Sequence, residues 1–164
     1  MSVNSEQALL IIAWSRVWSP LVDEAQRAQA WGALELPDDY ERHKADYWST
    51  FHVGSPEPQV SLLLHSALHQ EGAGVREDWL RVINYLELSW DDVHLPPDQL
   101  GAACEIYACA IEREEPVLIE ELRSRYLLPW CEVAGESLSR SGSALLPLVE
   151  KFRQDLQAIT PQSH

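Results

Sequence analysis

LPPDQLGAACEIYACAIEREEPVLIEELRSRYLLPW, residues 95–130, decides the fold class. Behind Pro96, Pro97 and Asp98, the residues Leu100, Ala103, Cys104, Tyr107, Ala108 and Ile111 recur at spacings of three and four. Only a helix gathers those positions on one side. Proline suits a first helical turn because its missing N–H would have had no partner, and a carboxylate there meets the positive end of the dipole. Gly101 falls inside the stripe, where glycine costs about 1 kcal/mol relative to alanine. A glycine in that place predicts the close approach of another backbone or of a ligand. Glu105 lies on the stripe's flank. Glu115-Pro116 breaks the helix and starts a second one, which is expected to end at Leu128-Pro129-Trp130.

Working outward, every segment has a helical period. Asn4 with Gln7 has the form of a capping box ahead of the apolar run Ala8–Trp14. Ser19-Pro20 is expected to open a helix reaching Trp31, and a third helix is expected over Tyr40–Thr50. His52–Pro58 is a loop by its Gly and Pro content and a candidate movable flap. Val60, Leu63, Leu64, Ala67 and Leu68 form a stripe that Gly72-Ala73-Gly74 should end. Trp79, Val82, Ile83 and Leu86 form the next, with Ser89–His94 linking it to the central stretch. After a break at Ser139–Ser143, Leu145, Leu148, Val149, Phe152, Leu156 and Ile159 mark a last amphipathic helix. No pair of strand signals, repeat or low-complexity segment interrupts this pattern. The expected fold is all-α: a single-domain bundle of about seven to nine helices over residues 1–164.

Composition narrows the function classes. A chain of 164 residues is one domain by length. With 26 acidic and 12 basic residues its net charge is −14, which repels phosphate backbones and attracts basic segments. Nucleic acid is therefore not an expected partner. The three cysteines, Cys104, Cys109 and Cys131, form no C-x-x-C pair and no disulfide framework; they fit as small buried residues. Ala8–Trp14 is too short to span a bilayer and lacks the basic flank and cleavage site of a signal peptide. No membrane association and a cytoplasmic location are expected.

Catalytic patterns are sparse. His65 and His69 are four apart and would share a helix face, but no carboxylate is spaced to complete a metal site. A di-iron bundle needs two Glu-x-x-His motifs; the nearest pattern is Asp91-x-x-His94, in a linking segment. There is no nucleophile elbow and no phosphate-binding glycine loop. Asp98 and Glu105, about 10 Å apart along one helix face, could act as an acid–base pair. Neither an enzyme nor a cofactor is expected.

Binding fits the residues better. Seven tryptophans are a heavy aromatic load, and aromatic side chains give contact area at low entropic cost. Tyr126, Pro129 and Trp130 would wall an apolar groove. Asp98 and Glu105 would pair with guanidinium groups at its rim, beside Gln99.

Pro97-Asp98-Gln99-Leu100-Gly101, then Glu105 on an apolar helix, then Leu127-Leu128-Pro129-Trp130, resembles the TorD/DmsD/NarJ family of redox-enzyme maturation chaperones. Upstream, Tyr47-Trp48-Ser49-Thr50-Phe51 followed by Ser61-Leu62-Leu63-Leu64 is similar to the aromatic-then-apolar segment of the NarJ branch. The likeness covers roughly residues 45 to 135. The family's histidine is Gln99 here, so the proton-switchable group is missing. The resemblance implies a TorD-like helical chaperone, monomeric or dimeric. Its partner would be the catalytic subunit of a dimethyl-sulfoxide-reductase-superfamily molybdoenzyme. It would bind that subunit's N-terminal leader, a twin-arginine signal or an amphipathic helix, until molybdopterin is inserted. Two alternatives stay open: a permanently bound accessory subunit of a redox complex, and a small carboxylate-dependent enzyme.

Overall fold

The computed structural model describes residues 2–90 and 95–160. These form α1 (Val3–Trp18), α2 (Glu24–Ala33), α3 (Tyr40–Phe51), α4 (Leu64–Ala67), α5 (Gly72–Tyr85), α6 (Leu100–Glu112), α7 (Pro116–Leu122), α8 (Leu128–Ser141) and α9 (Leu146–Ala158). A π-turn, Arg123–Leu127, joins α7 to α8. The all-α single-domain bundle read from periodicity is what the chain forms, and no strand occurs among the described residues.

The central stretch supplies the innermost helix. Expected to carry one apolar stripe, α6 is buried nearly all round, with Gly101, Ala102, Ile106 and Ala110 enclosed as well as the stripe residues. A helix apolar on every side belongs inside a bundle. It packs antiparallel to α1: Gly101 lies against Ser19 at one end, and at the other Asn4 donates to Glu114 at 2.6 Å. A Cβ on Gly101 would stand 2.8 Å from both Cα and N of Ser19, so the glycine does mark a close backbone approach.

Rings fill the space between α1, α3, α8 and α9. Trp14, Trp18, Phe51, Trp130 and Phe152 form one cluster, from 4.8 Å between the Trp14 and Phe152 centroids to 6.5 Å between Phe51 and Trp130. Beside it the fully buried Arg27 donates to the carbonyls of Val17 and Ser19, pairs with Glu24 at 2.5 Å, and lies over the rings of Tyr47 and Trp48. It thereby satisfies carbonyls that the C-terminus of α1 leaves over. Nothing in the spacing of the sequence pointed to this arginine.

Several boundaries differ from expectation. Ser2, not Asn4, caps α1, because the Asn4 amide is drawn to Glu114. Asp23 caps α2, leaving Ser19-Pro20 in the preceding turn. Residues 72–74 open α5 instead of ending α4: the Glu71 carboxylate takes the N–H groups of Ala73 and Gly74. α4 is a single turn. Since His69 beyond it has φ +54°, His65 and His69 do not share a helix face. Asp98 precedes the helix, and Gln99 is the N-cap of α6. Pro129 does not end the second helix either. The wider π-turn ahead of it leaves room for its ring and missing N–H, and the chain runs on as α8. Of the expected link, Asp91–His94 lies outside the described residues, and with it the Asp91-x-x-His94 pattern.

Candidate functional site

Asp98, Gln99 and Trp130 meet at one junction, but inside the molecule. An extended segment, residues 60–63, pairs with the residues before α6 through a Leu63–Gln99 bridge. The Leu100 N–H donates to Leu62 at 2.8 Å, and the Leu64 N–H donates to the Asp98 carbonyl at 2.9 Å. The Asp98 side chain holds the next residue: its Oδ2 accepts from the His65 N–H at 3.1 Å and lies 2.6 Å from His65 Nδ1. Its Oδ1 is buried without a hydrogen-bond partner. Gln99 uses both ends of its amide, accepting from the Ala102 N–H to cap α6 and donating to the Trp18 carbonyl at 2.9 Å. Trp130 donates from Nε1 to the Ser61 carbonyl at 2.9 Å.

These positions correct the expected groove. Asp98 and Trp130 are each 0% exposed, so neither presents a carboxylate or a ring to a ligand. Tyr126 is also buried. Its hydroxyl donates to Asp78 at 2.6 Å, and that carboxyl, also beside Arg125, is held below the usual range chiefly by the tyrosine. Pro129 is half-buried in the first turn of α8. For Asp98 and Trp130 the reason is shared: the chain crosses the bundle at residues 60–63 outside any helix before entering the single turn of α4, and its backbone groups need partners. Asp98 and Trp130 provide them. Nor can Asp98 and Glu105 work as an acid–base pair, one being enclosed against His65 and the other open on α6.

Of the six, Glu105 is the one that is exposed, with Pro129 half-buried. Surrounding protein still raises its carboxyl above the ordinary range, against a lowering by nearby Arg16. One turn further along the same face of α6 begins a cleft of about 290 Å³ between α1 and α6. Ala8, Leu9, Ile12, Ala108 and Cys109 line it, with Ser5 and Glu112 at one end. Leu9 is 54% exposed there. The Cys109 thiol is half-buried and pushed up chiefly by burial, so it serves as an apolar lining group.

A sequence signal for this cleft existed. Ala8–Trp14 is seven consecutive apolar residues, more than one helix face can bury against a core. Ile11 and Trp14 take the buried side, leaving Leu9 and Ile12 at the cleft. The histidine that holds Asp98 gave no such signal, since it lies 33 residues upstream.

Among the described residues no group of three His, Cys, Asp or Glu side chains could hold a metal ion, and all three cysteines are free. No helix there is long and apolar enough to cross a membrane. Compared with family models, curated proteins and solved structures, the chain finds no match.

Proposed function

We propose that this chain is a cytoplasmic chaperone that holds the N-terminal leader of a molybdenum oxidoreductase catalytic subunit until molybdopterin is inserted, and that the α1–α6 cleft is its peptide seat. One observation carries the reading: an open apolar cleft, floored by Leu9, Ile12 and Ala108, runs beside Glu105 and Glu112 on a chain of net charge −14. A leader of the twin-arginine kind joins guanidinium groups to an apolar run. The apolar part would cover Leu9 and Ile12, and the cations would meet the carboxylates of α6. The motif likeness over residues 95–130 supports the same function, with Asp98, Gln99 and Trp130 building the scaffold and Glu105 facing the ligand.

Calorimetry with a synthetic leader of two arginines followed by an apolar run tests it. Leu9→Glu and Glu105→Gln should each weaken binding about tenfold, as expected for one buried leucine or one partly desolvated charge pair. Added salt should weaken binding only in part, because the apolar contribution is not screened. Unchanged affinity in both variants would remove the cleft as the seat.

A further inference from the structure

On the α6 wall of the α1–α6 cleft, Glu105, Ala108, Cys109 and Glu112 fall at i, i+3, i+4 and i+7, one face over two turns. The middle of that face is apolar: Ala108 is buried and Cys109 half-buried. Leu9 and Ile12 of α1 complete the apolar lining, Leu9 exposed and Ile12 half-buried. A carboxylate therefore stands at each end of a short greasy floor, and both Glu105 and Glu112 are exposed.

The spacing of those two acids selects among ligands. Seven helical residues rise about 10 Å and turn back to within about 20° of the starting direction, so the two side chains leave α6 on the same side. Neither takes part in an ion pair among the described residues; Arg16, near Glu105, and Arg113, next to Glu112 in the chain, pair with neither. Two adjacent basic residues cannot meet both carboxylates in register. In an extended chain neighbours point to opposite faces, and in a helix they diverge by about 100°. Extended residues three apart span about 10 Å but again face opposite ways. A helix laid along α6 has the same rise per residue as α6. Its cations at i and i+7 reach Glu105 and Glu112 together, and its residues at i+3 and i+4 turn to Leu9 and Ile12.

We infer that the segment seated in this cleft is an amphipathic helix with two basic residues seven apart, bracketing an apolar pair, and not an extended twin-arginine run. The inference rests on the function proposed above and narrows its ligand. The apolar pair packs on Leu9 and Ile12, with Ala108 small enough to let the helix axis come close. One cation meets Glu105 and the other Glu112. A twin-arginine run covers the same floor but engages one carboxylate at a time, so Glu112 is the residue that distinguishes the two kinds of leader.

Two blocked peptides of identical composition and about 18 residues, long enough to form a helix when bound, are the probes. One carries arginines at i and i+7 around leucines at i+3 and i+4; the other carries the arginines side by side ahead of the leucines. Calorimetry gives their affinities for the full chain and its variants, and difference circular dichroism gives the helix gained on binding. The spaced peptide should bind about fivefold tighter, the worth of one exposed charge pair, and should gain helix. Glu112→Gln should remove that preference, leaving the two peptides within about twofold of each other. Glu105→Gln should weaken both about tenfold. Equal or tighter binding of the side-by-side peptide, a preference that survives Glu112→Gln, or binding without a gain of helix would overturn the helical assignment and leave the cleft in place. Binding that Leu9→Glu does not weaken, or no binding of either peptide, would remove the cleft and this inference with it.

Discussion

The Gly101 Cα faces the backbone of Ser19 so closely that a methyl group between them would stand 2.8 Å from two main-chain atoms. This contact sets how near the start of α6 comes to the end of α1. Gly101→Ala should lower stability by about 1–3 kcal/mol through overpacking, in spite of a helix-propensity gain of about 1 kcal/mol. Gly135→Ala, where space is open, should stabilise by about 0.5–1 kcal/mol. Urea denaturation of both variants side by side checks the pair; a shift of the same sign in each would contradict the packing described.

Trp130 and Asp98 are structural in this arrangement. Trp130→Ala removes a fully buried ring from the aromatic cluster and should cost about 3–5 kcal/mol. Asp98→Ala strands the His65 N–H and should cost about 1–3 kcal/mol. Guanidinium denaturation measures both, and a native-like midpoint in either variant would show that the side chain is not held as described.

Glu105 behaves differently because, exposed as it is, the protein packed around its carboxyl still disfavours the charge. A carboxyl whose folded pKa lies above its unfolded value gives stability that is present at low pH and lost as pH rises through the folded pKa. Glu105→Gln should therefore leave stability at neutral pH unchanged or slightly higher, while leader binding falls. Thermal melts at pH 7 and pH 5 are the measurement. A destabilised variant at pH 7 would assign Glu105 to the scaffold with Asp98.

Acid sensitivity should come partly from His52. Burial first, and Arg27 second, bring its pKa from 6.5 down to about 4 in the folded chain. The unfolded chain then binds more protons between those values, so the stability His52 contributes is complete above pH 6.5 and fades as pH falls toward 4. Glu24 and Asp78, both lowered, add their own losses further into the acid range. His52→Gln should flatten the stability profile over pH 4–6.5, as measured by urea midpoints at fixed salt. An identical slope in the variant would mean that the imidazole titrates like a solvated one.

How far the sequence reached differs from element to element. Leu145, Leu148, Val149, Phe152, Leu156 and Ile159 fall on one helical face by spacing alone, and all six are buried. Gly101 was read as a close approach, and Ser19 is what approaches. The starts of α2 and α5 differ from the expected ones because a side chain next to each expected boundary takes the first N–H groups. Asp23 prevailed over Ser19, and Glu71 turned residues 72–74 into a beginning. Of the six candidate site residues, Asp98, Gln99 and Trp130 come together around residues 60–65 and are enclosed there, while Glu105 faces outward.

By itself the sequence determined the class, all helices, and the apolar faces that must be hidden, because both follow from periodicity within a few turns of chain. It also determined the acidic charge, which no folding alters. Only the tertiary structure decided which side chains are left for a partner. The crossing of residues 60–65 needs buried acceptors and donors, and it claims Asp98, just ahead of α6, and Trp130 of α8 from far along the chain. The surplus of apolar residues in α1 then remains, exposed beside Glu105. Exposure is what is left after all the long-range contacts have been made, and no local pattern carries that remainder.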